Sequence, residues 1–360
     1  MAAAPADRLS ALPDNVLQRV LSFAPTKEAA ATAIFLRRWR TLWLRAGVVN
    51  LDPTSWSPNG GDGRRRPSAD KLNASFRAML APFRHGRPHL KKLDMYRVDY
   101  GVNVWGLLAN PATSMLQELR ADCEDMNAFI GHEFSDTAAW LASMRCTATL
   151  RVLDLKSCDL EPPLPEQSSP GLALPCLTSL GLRDCVLSHG YLQQLVDAAP
   201  ALASLQLDNV RHDSPEPTAY SWLHFHLRCP MVSDFVLDTT CQHQMNKDEL
   251  APSSGGAIDL DMPNLRFFRY RGFPAVLSLR SPTPKLARVD LDRSCREGCP
   301  DWYEFKGELK ARLPRMLTGL LQTRVMKLRV PCMEDLLAAV LPVFPNLDVL
   351  DLEGDRIQMQ

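Results

Sequence analysis

Cys295-x-x-x-Cys299 is the close cysteine pair of this chain and the one spacing that could begin a metal site. A structural zinc needs four thiolate or imidazole ligands, and Cys229, Cys241 or His243 would have to complete the set. No second close pair at metal spacing accompanies it, so free thiols are the preferred reading. Signatures of catalysis are missing from the sequence: there is no Walker-type phosphate loop, no H-E-x-x-H and no G-x-S-x-G. Arg64, Arg65 and Arg66 form a shorter run than the basic clusters used for nuclear import, and read as a solvated linker. Arg37, Arg38, Arg40 and Arg45 read as the exposed side of a helical segment. The expectation is a non-enzyme with no catalytic residue, no metal and no cofactor.

Bulk properties agree. The 360 residues hold 41 basic and 41 acidic side chains, a balance that points to neither a nucleic-acid nor a membrane partner. The N-terminus lacks the basic and apolar regions of a secretory leader, and no apolar run approaches the ~20 residues that span a bilayer. The ten cysteines are therefore expected as thiols in an intracellular, reducing compartment, nucleus or cytoplasm.

The elements that must position any site follow from an internal repeat. LRVLDLKSCDL (Leu150 to Leu160) and LTSLGLRDCVL (Leu177 to Leu187) fit L-x-x-L-x-L-x-x-C-x-L at every fixed position. LASLQLDNV (Leu202 to Val210) follows with Val in place of Cys. Degenerate copies begin at Leu90 and Leu116 upstream, and at Val232, Leu265, Leu286, Val325 and Leu347 downstream. The spacing is about 21 to 39 residues, centred on the range of leucine-rich repeats. In each copy the leucines alternate with the x positions along a strand, so one set faces a core and the other solvent. Cys158 and Cys185 then read as small buried residues. The rest of each unit returns as helix or loop, and Tyr191 to Leu202, with Leu192, Leu195 and Val196 at helical spacing, is one such return. EPPLPEQSSPG (161–171), RHDSPEP (211–217) and APSSGG (251–256) fall between strands as loops. The expected fold is α/β: an irregular solenoid of parallel strands on a concave face, with helices or loops on the convex face, over 68–360.

Ahead of the repeats lies a short helical zone, 7–51, followed by a Pro/Gly/Arg-rich linker, 52–67. Val16, Leu17, Val20 and Leu21 form an apolar stripe, Pro25 stops that helix, and Thr26 is expected to cap the next. Trp39 and Trp43 stand four apart on one side of a third segment. A unit this small carries more apolar surface than it can bury alone, so a partner surface is implied.

These residues resemble the F-box family, specifically the plant-type F-box proteins with leucine-rich repeats. The match lies in Leu12-Pro13-Asp14, the Val-Leu stripe, Pro25-Thr26-Lys27-Glu28, and Arg37-Arg38-Trp39-Arg40 with Leu42-Trp43. Leu36 departs from it, standing where the family commonly has a small polar residue. The family's further C-terminal segment, the FBD, is expected to be short or absent here. The resemblance implies a substrate-recognition adaptor of a Skp–cullin–F-box ubiquitin ligase. Leu12, Pro13, Val16, Leu17, Val20, Leu21, Ile34, Trp39 and Trp43 would face the Skp-family adaptor, and through it a cullin and RING core. The alternative is a repeat-based protein-binding scaffold that recruits no cullin ligase. The strand register puts Asp154, Lys156, Arg183, Asp208, Phe267, Arg269 and Arg271 outward as candidate contacts for a target protein, with Arg269 and Arg271 beside Phe267 the best anchor.

Overall fold

The computed structural model describes residues 11–34, 37–56, 68–84, 88–98, 104–123, 141, 144–160, 172–187, 189–210, 225–239, 257–272, 276–292, 317, 320–330 and 344–354. These fall into two units divided within the repeats, near residue 158.

The first unit opens with α1 (Asp14–Leu21), α2 (Thr26–Ala31) and α3 (Leu42–Ala46), joined by 3-10 turns at Thr32–Ile34 and Arg37–Arg40. Pro13, extended, precedes α1, and its carbonyl accepts from Val16 and Leu17 N–H. Arg38 reaches back to this end, donating to Asp14 Oδ1 and to the Leu12 carbonyl at 2.7 Å each. The ion pair is half-exposed and adds at most about 1 kcal/mol; its geometric effect is to close the helices on one another.

Contrary to the sequence expectation, Thr26 does not cap α2. Pro25 takes that position, and the Thr26 hydroxyl instead accepts from Asn50 N–H at 2.7 Å. Asn50 Nδ2 donates to the Ser22 and Ala24 carbonyls at 2.9 Å each, closing the end of α1. Asn50 belongs to β1 (Val48–Leu51), a strand inside what the sequence reads as the helical zone. Gly47 makes the turn into it. It ends α3 at φ +66°, and a Cβ there would lie 2.8 Å from the His89 carbonyl.

Beyond β1 come α4 (Ala69–Leu80), β2 (Lys92–Val98), α5 (Val104–Leu108), β3 (Glu118–Cys123) and β4 (Val152–Lys156). β1 to β4 run parallel in chain order. The sheet therefore starts one strand before the first recognisable repeat, and residues 52–91 leave and rejoin it. α4 buries Leu72, Phe76 and Leu80 at helical spacing, and Trp43 packs edge-on to Phe83 with centroids 6.1 Å apart.

In the second unit the strands are β5 (Asp159–Leu160), β6 (Ser179–Arg183) and β7 (Val186–Leu187), then helix α6 (His189–Asp197). β8 (Ser204–Asp208), β9 (Phe225–Arg228), β10 (Asp234–Asp238), β11 (Ala257–Asp261) and β12 (Phe267–Arg271) follow. β13 (Val276–Leu279), β14 (Arg288–Asp292), β15 (Val325–Val330) and β16 (Val349–Gly354) complete it. The main sheet takes β6, β8, β10, β12, β14, β15 and β16 in that order, and the pairings from β6 to β16 are all parallel.

In-register pairing stacks like on like. Leu180, Leu205, Phe235, Phe268, Val289 and Met326 make one buried row, and Leu182, Leu207, Leu237, Tyr270, Leu291 and Leu328 the next. Each such side chain contributes on the order of 1.5–3 kcal/mol by leaving water, and the Phe235 and Phe268 rings stack at 5.7 Å. The residue after each strand turns the chain. Ser157, Asp184 and Asn209 do so at φ 54°, 50° and 50°, the left-handed region that Asn and Asp tolerate. In the second unit Asp184, Asn209, Thr239 and Gly272 each donate their N–H to the last carbonyl of the next strand, at 2.7 to 3.3 Å.

The return of Tyr191 to Leu202 contains α6, with Leu192, Leu195 and Val196 buried. Further on, the expectation of helices or loops is corrected: β9, β11 and β13 form a second parallel sheet. Each is only four or five residues long, and β11 buries just Ile258 and Leu260, too few for a period of two to stand out. Gln193 of α6 bridges to β9, its amide pairing both ways with the Arg228 backbone at 3.0 Å. The insertions 161–171, 211–217 and 251–256 lie outside the described residues, as does Leu36.

Candidate functional site

The apolar stripe of the helical cap splits in two. Leu17 and Leu21 are buried, as are Trp39, Leu42 and Trp43. These five residues thus form the core of the cap, and Leu17, Leu21, Trp39 and Trp43, expected to face the adaptor, lie inside it. Trp43 is covered by the edge-on ring of Phe83. What remains outside is Val16, Val20 and Ile34, the last 85% exposed, with Pro13 exposed and Leu12 half-buried. Phe23, 75% exposed, belongs with them, although it was not among the residues expected to face the adaptor. The signal was available: Phe23 continues the 16, 20 spacing one turn on, away from the buried 17, 21 line. Trp39 Nε1 is buried without a hydrogen-bond acceptor.

The strand surface holds the second set. In the first unit Asp154 is half-buried and Lys156 pairs with Asp122 at 3.1 Å. Asp94, on β2, has its carboxyl raised by burial, only partly offset by Lys92 and Arg120. In the second unit Arg183 and Asp208 are half-buried at the ends of β6 and β8. Arg271 lies between two carboxylates, Asp238 at 3.6 Å and Asp292 at 3.4 Å.

Phe267, Arg269, Arg288 and Asp290 form one connected group on this sheet. Register sets Phe267 opposite Arg288 and Arg269 opposite Asp290. Both guanidinium groups lie over the Phe267 ring, 5.5 Å and 5.8 Å from its centroid. Asp290 is 5% exposed. Its Oδ1 accepts from Arg288 Nε at 2.8 Å, and its Oδ2 from Arg269 Nη2 at 3.0 Å and Arg288 Nη2 at 3.1 Å. Burial pushes this carboxyl up, but the two arginines outweigh it and hold it below the usual range. Arg288 was missed in the sequence, although it is the first outward position of its own repeat copy.

The described cysteines hold thiols, and Cys229 is buried with its thiol pushed up to about 12 by burial and by Asp197 and Asp261. Cys241, His243, Cys295 and Cys299 lie outside the described residues. Among the described residues no helix is long and apolar enough to cross a membrane.

Parallel strands in register, closed by left-handed turns and returning by helix or short strand, define a leucine-rich-repeat protein. A family model described as "FBD-associated F-box protein At5g56370, LRR repeats" matches residues 104–246. Across 96% of this chain and 77% of its own length, the "F-box protein At1g60400" of Arabidopsis thaliana is 26% identical. The "Putative F-box/LRR-repeat protein At3g58880" of the same plant is 30% identical over 59% of this chain, which spans 44% of that relative. Over 47 residues the "Putative FBD-associated F-box protein At3g12840" is 55% identical. The chain is thus similar to plant F-box proteins with leucine-rich repeats. No solved structure matches it.

Proposed function

We propose that this chain is the substrate-recognition adaptor of a Skp–cullin–F-box ubiquitin ligase, working inside the cell in the nucleus or cytoplasm. The helices of 7–51 dock on a Skp-family adaptor, and the repeats of 68–360 hold the target protein. The observation that carries this reading is the exposure of Val16, Val20, Phe23 and Ile34 beside the buried Leu17, Leu21, Trp39, Leu42 and Trp43. Large apolar side chains left outside a closed core mark a contact surface. Such an adaptor needs no catalytic residue. It raises the local concentration of target lysines near the conjugating enzyme, a gain that linkage alone supplies.

The test is capture of a purified plant Skp-family adaptor by the purified chain, with a Val20→Asp/Ile34→Asp variant beside it. Both positions are exposed, so the variant should keep its circular dichroism spectrum while losing the adaptor. A folded wild type that captures no adaptor, across several paralogues, refutes the ligase reading and leaves a repeat-based scaffold.

A further inference from the structure

We propose that Arg269 and Arg288 form a clamp for a carboxylate side chain of the target protein, with Phe267 as the apolar contact beside it. This rests on the reading that the repeat sheet binds a target, and specifies the chemistry of what it takes. Three observations carry it.

The first is charge. Arg271 has two acids around it, and Lys327 likewise has Asp351 and Glu353. Arg269 and Arg288 share one carboxylate, Asp290, and form no other ion pair among the described residues. Arg269, Arg288 and Asp290 together carry one net positive charge, so the pair is matched to one carboxylate. Asp234, opposite Phe267 on β10, and Asp351, which acts on Arg288, would oppose a phosphate dianion more strongly.

The second is access. Asp290 is covered, whereas the two arginine side chains are 49% and 51% exposed. Arg269 Nε and Nη1 and Arg288 Nη1 make none of the bonds to Asp290 and stand as donors toward a ligand. The third is order. Asp290 and the Phe267 ring fix both guanidinium groups before a ligand arrives, which lowers the entropy lost on binding. Aromatic and arginine side chains grouped in this way are the types that dominate protein interfaces.

The experiment uses the full chain on an array of capped random 12-residue peptides. Each binder is resynthesised with Glu→Gln and Asp→Asn, and separately with phosphoserine at the acidic position. Binders should be enriched in Asp or Glu, and should weaken by about tenfold or more on amidation and on Arg269→Gln or Arg288→Gln. Each single variant leaves Asp290 one arginine, so the fold should persist, checked by circular dichroism. Binders without acidic enrichment, binders indifferent to both arginines, or no binders at all overturn the clamp. Binding of the phosphoserine forms alone overturns the carboxylate assignment and gives the same arginines to phosphate. Skp-adaptor capture by the same variants is read in parallel. Its loss in the wild type refutes the ligase reading and leaves the clamp standing or falling on the array.

Discussion

Gly272→Ala should be among the most damaging small substitutions in the second unit, and Thr239→Ala should partly rescue it. Gly272 follows β12 at φ +143°, a conformation nearly closed to residues with a Cβ. Holding alanine there costs about 1–3 kcal/mol in backbone strain. The added methyl would also overlap Thr239 Oγ1 and come within 3.1 Å of Thr239 Cβ. Thr239 is buried and donates to the Arg271 carbonyl through both its N–H and its hydroxyl, so it cannot move freely. Overpacking of this kind adds about 1–3 kcal/mol. The single variant should therefore lose roughly 2–6 kcal/mol. Thr239→Ala alone costs about 1 kcal/mol for the lost hydroxyl bond. In that background the hydroxyl overlap is gone and only the strain and the tight Cβ contact remain, so the two changes should couple by up to about 1–3 kcal/mol. Urea unfolding of the four proteins, followed by circular dichroism, measures the cycle. A Gly272→Ala midpoint equal to wild type, or a coupling of zero, would refute the reasoning.

Leu205→Ala, at a fully buried position of β8, should cost about 2–5 kcal/mol, whereas Gln206→Ala on the outer face should stay within about 0.5, both read by urea unfolding. Leu17→Asp should unfold the helical cap while Phe23→Asp leaves its melting unchanged, a contrast that thermal circular dichroism reports. The Asp290 carboxyl is held below its unfolded value, so its stabilisation is present above about pH 4 and lost as pH falls through the folded value. The stability gap between wild type and Asp290→Asn should shrink on acidification, and a gap constant down to about pH 2 contradicts this. Burial pushes Cys146 to about 11 and Cys229 to about 12, so alkylation at pH about 8 should label exposed Cys176 well before either, as peptide mass mapping would show.

Much of the sheet was legible because a repeated pattern averages over local ambiguity. Each copy read from sequence, including the degenerate VSDFVL and VMKLRV, is a strand in register with its neighbours. β1 was not legible: Val48-Val49-Asn50-Leu51 is too short to carry the repeat and follows a helix with no gap. The same shortness hid the second sheet. At the cap, composition revealed an apolar excess, but which residues it buried depended on Trp43 meeting Phe83, forty positions away in a region with no repeat. Arg288 escaped notice because its partner across the register, Phe267, lies on the previous repeat. Local patterns show which way a side chain faces; only pairing shows what stands beside it.

Asn50 and Thr26 carry a mechanical consequence. Their bonds fasten the end of α1 and the start of α2 to β1, and β1 is already a rung of the sheet. The Pro/Gly/Arg-rich stretch follows that rung in the chain, so the covalent link from the helices into the sheet runs through β1 and not through it. Lengthening it would add slack where no load passes. Whatever grips the helices would then steer the first rungs as a handle steers a blade, with the three hydrogen bonds at Asn50 part of what stiffens the joint. Swing at that joint would come from changing Asn50, not from altering the loop.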